Sequence, residues 1–312
     1  MKQISRRTFI KQGVALSTAA MCSGTVLSSL GGVARGATQA SKAVDMSIVT
    51  GKNYFNNTIK AVAMLGGIKH FVSKNSRVCL LINSPYANPG SHAHPDIALA
   101  VVKMCFEAGA GKVTSLKKES AEYWSRSMHA REHEGLIKRL ASPGKYVTKS
   151  IASGKALKKI EIFEDVFECD VFINVSISKQ HKGTNFSCIL KNMMGALPHS
   201  TCMFFHKGTG GKGWYDDLDH LNQCIADLNL IRKPDLVIAD ATEFITTNGP
   251  YGPGKMAKPL QVVAGTDRVL VDAYCCTLLG LKAEKVEMIR RAAEHNLGQA
   301  DLKKVTIRKA EG

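Results

Sequence analysis

The chain has 312 residues, 45% apolar and 22% charged, with a formal net charge of +16. This is a globular composition, and it excludes a disordered chain, a collagen-like repeat and a polytopic membrane protein. The first forty residues hold Lys2, Arg6, Arg7, Lys11 and Arg35 and no acid, which leaves +11 on the rest. That remainder is long enough for one large α/β domain or two small ones.

Ser5-Arg6-Arg7-Thr8-Phe9-Ile10-Lys11 opens onto a mild apolar stretch from Val14 to Leu30, diluted by Ser, Thr and Gly. The paired arginines in this setting resemble a twin-arginine export signal, with cleavage after Gly36 or Ala40. Cys22 follows Met21 rather than a small residue, which argues against a lipoprotein anchor. The expectation is a signal peptide over 1–40 and a single α/β domain over 41–312. The twin-arginine translocase is then a partner, the location is periplasmic or otherwise extracytoplasmic, and no stable transmembrane anchor remains after cleavage. The export route implied by the resemblance carries proteins that fold first, often around a cofactor.

After the leader, Arg77–Ile82 is a short apolar strand. Pro95–Ala108 carries Ile97, Val101, Met104 and Cys105 at helical spacing, with Pro in the first turn and Gly109 closing it. Lys112–Leu116 is a strand, Glu119–Lys138 a polar run of surface helices, and Asp170–Val175 a buried strand. Leu221, Cys224, Ile225, Leu228 and Ile231 mark an amphipathic helix. Next come a strand at Leu236–Ala239, a Gly/Pro loop from Thr246 to Pro259 and a strand at Gln261–Ala264. Helices over Asp267–Leu279 and Val286–Leu297 and a last strand at Val305–Ile307 complete the chain. Apolar strands alternating with helices predict an α/β fold, a mostly parallel sheet covered by helices on both faces.

The unusual polar residues fall at strand ends: Asn83, then His92 and His94; Asn174, then Lys179 and His181; Asp240; and Asp267. The carboxyl edge of an open α/β sheet is where loops converge and ligands bind. Asp267 is equally readable as a helix N-cap. Asp272 shares a helical face with Val269, Ala273 and Cys276, so its carboxylate needs a partner; Lys191 or Lys179 is expected, in a structural or a catalytic pair. His92 and His94 could share a metal in an extended segment, although no third ligand is fixed. His129 and His133 read as a solvated helix face. The run from His206 to Trp214 is either an anion-binding nest or a flexible loop, and it does not match the P-loop pattern.

Eight cysteines follow the leader: Cys79, Cys105, Cys169, Cys188, Cys202, Cys224, Cys275 and Cys276. None forms a C-x-x-C pair, so no ferredoxin-type or zinc-knuckle spacing is present. Most read as small buried hydrophobes, with Cys188 and Cys202 singled out because they flank the motif-rich stretch.

The order of these pieces resembles the domain of unknown function 362 family, from about Ile68 to Gly298. The resemblance is carried by Gly67-Ile68-x-x-Phe71, Asn83, Asn174 with Lys179-Gln180-His181, Lys191-Asn192-x-x-Gly195 and His206. Asp240, Gly249-Pro250, Asp267, Val271-Asp272-Ala273 and Gly280 continue it. The family has no general assigned reaction, and some relatives are fused to iron–sulfur modules that this chain lacks. Where members tend to show Lys-Pro-Asn, this chain has Leu81-Ile82-Asn83, so any anion contact made by that lysine is either lacking here or passes to Lys179, Lys191 or Lys212.

Together these readings predict an exported protein with a cationic, anion-binding site at the carboxyl edge of its sheet, acting as a metal- or redox-cofactor-dependent enzyme on a small anion. Lys179, Lys191 and His206 would hold the anion, Asn83 and Asn192 orient it, and His181 act as acid or base. Lys179 and Asp272 complete the catalytic set, Asp240 and Asp272 tune His181 or bind a metal, and Asp240 and Asp267 line the site. Metal, flavin and iron–sulfur all stay open as the cofactor. The alternative is a non-catalytic binding or assembly protein for exported metalloenzymes. Nucleic acid is not expected as a partner, because the basic residues are dispersed and aromatics make up only 6% of the chain.

Overall fold

The computed structural model describes residues 44–208, 210 and 213–312. The expected leader, and Thr209, Gly211 and Lys212 of the glycine-rich run, lie outside the described residues. β1 (Met46–Thr50) leads through α1 (Tyr54–Ala63) to β2 (Arg77–Ile82), and α2 (Pro95–Glu107) carries the chain to β3 (Lys112–Ser115). Short helices α3 (Ala121–Ser125) and α4 (Glu134–Lys138) precede a hairpin of β4 (Tyr146–Ser150) and β5 (Lys159–Phe163). After α5 (Asp165–Glu168), β6 (Val171–Ile177) runs into a small hairpin of β7 (Lys179–His181) and β8 (Asn185–Ser187). α6 (Ile189–Asn192), α7 (His199–Lys207) and α8 (Leu218–Leu228) then lead to β9 (Leu236–Ala241). The Gly/Pro loop is spanned by a two-residue pair, β10 (Phe244–Ile245) and β11 (Met256–Ala257). β12 (Gln261–Gly265), α9 (Arg268–Thr277), α10 (Glu287–Glu294) and β13 (Ile307–Glu311) follow.

Seven strands form one sheet in the order β13-β1-β12-β9-β6-β2-β3. The pairs β2–β3, β2–β6, β6–β9 and β1–β13 are parallel, whereas β12 is antiparallel to both β1 and β9. The reversal at β12 follows from its connection: no crossover helix separates it from β9, only the Gly/Pro loop, so the chain returns alongside. Two apolar layers cover the sheet. In β2, Val78, Leu80 and Ile82 face α1 and α2, while Cys79 and Leu81 face α6, α8 and α9. This is the α/β fold, mostly parallel and helix-covered on both faces, that the strand–helix alternation predicts.

α2 shows how local signals set an element. Pro95 occupies its first turn, His94 Nδ1 accepts from the Asp96 amide 3.2 Å away, and Gly109 beyond the C-cap takes φ +91°. The expected run of surface helices over Glu119–Lys138 is only the two five-residue helices, and it is not wholly solvated. Tyr123 and Trp124 are buried, and His129 and His133 stack on Phe55 at 4.2 and 5.5 Å between ring centres, so that histidine pair packs rather than faces solvent. Among the described residues no helix is long and apolar enough to cross a membrane.

Candidate functional site

At the carboxyl edge of β2 and β6 lies a cavity of about 240 Å³ lined by Lys117, Lys179 and Lys191, by His181, His199 and His206, and by Asn83 and Asn192. No Asp or Glu lines it among the described residues. Tyr86, Tyr251, Trp214 and Tyr215 supply aromatic wall and rim.

The β7–β8 hairpin carries Lys179 and His181 two residues apart on an extended strand, so both side chains leave the same face. Lys179 is 1% exposed. Its ammonium donates to the Ser91 carbonyl and to the Pro250 carbonyl 3.3 Å away, and lies 4.4 Å from the centre of the Tyr86 ring. Burial, helped by the Lys191 charge, lowers its pKa to about 7. The two carbonyls and the ring face act the other way, holding the ammonium in place. Pro250 reaches Lys179 because Gly249 packs on the β7 backbone, where a Cβ would sit 1.7 Å from the Gln180 carbonyl oxygen.

His181 is fixed by its own turn. Its Nδ1 accepts from the Gly183 and Thr184 amides at 3.0 and 3.3 Å, so Nε2 carries the proton of the neutral ring. Burial and the neighbouring Lys191, His206 and Lys179 push its pKa well below the usual imidazole value. A ring in this tautomer donates a hydrogen bond; it has no free lone pair with which to take a proton. His206 is its complement. Its Nδ1 donates to the Cys202 carbonyl at 2.7 Å, which leaves the Nε2 lone pair free, and burial and Lys191 lower its pKa to about 4. The expectation that His181 is the acid/base is therefore corrected: His181 is a donor, and His206 is the imidazole with an open lone pair.

Lys191 projects from α6. Among the described residues its Nζ has one hydrogen-bond partner, the Met194 sulfur at 3.7 Å, and burial lowers its pKa to about 8. Asp272 of α9 does not pair with either lysine. It is fully buried, and its two oxygens accept from the Ile189 and Leu190 amides at 2.8 and 3.0 Å, capping the start of α6. Burial raises its pKa to about 7, opposed by those amides. It positions Lys191 and Asn192 and does not line the cavity, so its expected place in the catalytic set is corrected.

Asn192 Nδ2 donates to Asn174 Oδ1 at 2.7 Å and to the Leu81 and Val175 carbonyls at 3.2 Å, and Asn192 Oδ1 accepts from Asn83. These amides staple the ends of β2 and β6 together; Asn83 and Asn192 line the cavity, yet these bonds are internal to its wall. Asp267 accepts from the Val269 and Leu270 amides and, through its other oxygen, from Gln299, which makes it the N-cap of α9 rather than a cavity residue.

Asp240 sits elsewhere for a periodic reason. In β9 it shares parity with Leu236 and Ile238, which pack with α1 and α2, whereas Val237 and Ala239 face α6. It enters a second cavity of about 340 Å³ with Tyr54, His92, His94, Arg126 and Glu243. There it accepts from the His94 amide at 2.7 Å and the Thr242 amide at 2.9 Å. The two histidines expected to share a metal have nitrogens already engaged: His92 Nε2 with Arg126 at 3.4 Å and His94 Nδ1 with the Asp96 amide. Among the described residues no three His, Cys, Asp or Glu side chains form a metal-binding group.

Of the cysteines, Cys188 is buried beside Cys275, and Cys202 lines the lysine cavity with its thiol donating to the Met194 carbonyl at 3.2 Å. The sequence does not single out Lys117, His199, Tyr86 or Tyr215, and it marks Trp214 and Tyr251 only as members of glycine-rich runs. All but His199 come from loops without periodicity; the Gly249-Pro250 signal next to Tyr251 was the one available pointer.

No curated protein matches the chain significantly. Similar solved structures include the lactate racemase apoprotein from Thermoanaerobacterium thermosaccharolyticum, 12% identical over 72% of this chain and 54% of that one, with a TM-score of 0.43. A Thermotoga maritima protein is 11% identical over 79% of this chain and 60% of that one, with a TM-score of 0.34. The chain thus spans a little over half the length of either. The sequence matches the family described as domain of unknown function (DUF362) over residues 78–277, a stretch that holds every lysine and histidine of the cavity, and the chain belongs to that family.

Proposed function

We propose that this is an exported protein whose lysine-lined cavity binds a small anion and offers it one fixed donor and one proton acceptor. One observation carries the reading: three lysines and no carboxylate line a single partly enclosed cavity. Cations gathered without counter-charge repel one another and lose solvation, and an anionic ligand relieves both penalties. Lys179, held by carbonyls and an aromatic face, and Lys191 and Lys117 supply charge. His181 Nε2–H donates, and the His206 Nε2 lone pair accepts. This arrangement suits an anion that also carries a polar reacting group. Export rests on the Ser5–Lys11 signal and the apolar stretch behind it.

The test is calorimetric titration of the mature chain with oxalate and with inorganic phosphate. Lys191→Met should weaken the preferred anion about ten- to hundred-fold, the worth of one charge-assisted contact. Asp240→Asn, in the other cavity, should leave that affinity unchanged. Equal losses from both variants, or no binding of either anion, would remove the reading.

A further inference from the structure

Lys179 and Lys191 share a cavity but differ in what holds them. Lys179 is fixed by two main-chain carbonyls and the Tyr86 face. Among the described residues Lys191 has neither a carboxylate nor a carbonyl oxygen within hydrogen-bonding distance; its hydrogen-bond partner there is the Met194 thioether. No oxygen of the described residues therefore anchors its ammonium protons, and Asp272 holds the helix that aims it. We infer that Lys191 is an imine-forming amine that captures the carbonyl carbon of a small 2-oxo acid, whose carboxylate is held by Lys179. The inference rests on the anion-binding reading and names the ligand class for that same cavity.

The chemistry balances within the site. The Lys191 ammonium gives one proton to the His206 Nε2 lone pair, and the freed nitrogen pair attacks the carbonyl carbon as the C=O π pair moves to oxygen. The resulting alkoxide, hydrogen-bonded by His181 Nε2–H, takes that proton back from His206, which then accepts the second nitrogen proton and passes it to the hydroxyl as the nitrogen pair expels it as water. An ammonium and a ketone thus become a protonated imine and water, with no net gain or loss of protons and no oxidant or reductant. The lowered pKa of Lys191, about 8, keeps a useful fraction of the amine free near neutral pH. Lys117 and Lys179 remain as charges for the carboxylate, and the aromatic rim limits water at the new C=N bond.

Pyruvate with cyanoborohydride is the probe for capture, and oxamate, which has the same shape but an unreactive amide, is the probe for binding alone. The expected result is one carboxyethyl group per mature chain by intact mass, mapped to Lys191 and suppressed by oxamate. Labelling should be lost in Lys191→Arg, which keeps the charge, with the thermal unfolding midpoint confirming that this variant folds. Oxamate binding without an adduct, or an adduct on Lys179 or scattered over surface lysines, overturns the imine and leaves the anion reading standing. Failure of oxamate, oxalate and phosphate alike overturns both.

Discussion

Two cavities open at the carboxyl edge of one sheet, on opposite faces, and they differ in charge. The one beneath α6 gathers three lysines and three histidines with no acid, while the one beside α1 and α2 mixes Asp240 and Glu243 with His92, His94 and Arg126. In the second, every strong charge meets an opposite or a main-chain partner: Asp240 caps His94, Glu243 pairs with Lys258 and Tyr54, and Arg126 meets Glu122. In the first, the hydrogen-bond partner of Lys191 among the described residues is a thioether. A polar cluster at a strand end is therefore not yet a binding site. What separates the two is whether the protein has already satisfied its own charges.

The largest effect that would break this contrast comes from the residue supporting the first cavity from behind. Asp272→Ala removes both acceptors of the Ile189 and Leu190 amides and should cost about 4 kcal/mol of stability, since each orphaned buried donor costs about 1–3 kcal/mol. Chemical denaturation measures it, and hydrogen exchange should show α6 opening before the helices beside the second cavity. Loss confined to ligand binding, with stability intact, would restore Asp272 to the site itself.

A smaller effect sharpens the comparison through pH. Lys179 and Lys191 are lowered to about 7 and 8 from an ordinary value of 10.5. Between those values the unfolded chain binds more protons than the folded one, so their contribution to stability rises with pH across that window. Anion affinity runs the opposite way, falling as the ammonium groups lose their protons. Unfolding midpoints and calorimetric titration from pH 6.5 to 9.5 should cross in this manner. In Lys179→Met/Lys191→Met the added stability slope should vanish; a slope that survives would mean that neither lysine is perturbed.

Much of this arrangement is legible in the sequence, for physical reasons that also mark the limit. β2 and β6 are short apolar runs buried on both faces, so composition alone marks them. Lys179, His181 and Lys191 stand in dense polar patterns just after a strand. β1 escapes notice because Ser47 and Thr50 break up its short apolar run, and β4 because its YVTKS run is exposed or half-buried and lacks an apolar face. Asp240 was assigned to the wrong cavity although its parity with Leu236 and Ile238 was there to be read. The roles of the two histidines were not readable, because a tautomer is set by what each ring nitrogen meets: Gly183 and Thr184 for one, Cys202 for the other. Tyr86 and Tyr251 were invisible for the same reason, being brought together by folding and stacked edge to face at 4.9 Å.

Tyr86 provides the smallest and finest test. Its ring face lies 4.4 Å from the Lys179 ammonium, a contact worth about 0.5–2 kcal/mol to the charged form. Tyr86→Leu keeps apolar bulk but removes the ring's negative face, so Lys179 should titrate lower still, by about one pH unit. Anion affinity at pH 7 should then fall by a few-fold, while near pH 5, where about nine-tenths of the ammonium is restored, it should approach that of the unaltered protein. A pH-independent loss would mean that Tyr86 contacts the ligand directly. The same substitution should leave the second cavity untouched, because Asp240 and Glu243 draw their partners from other elements.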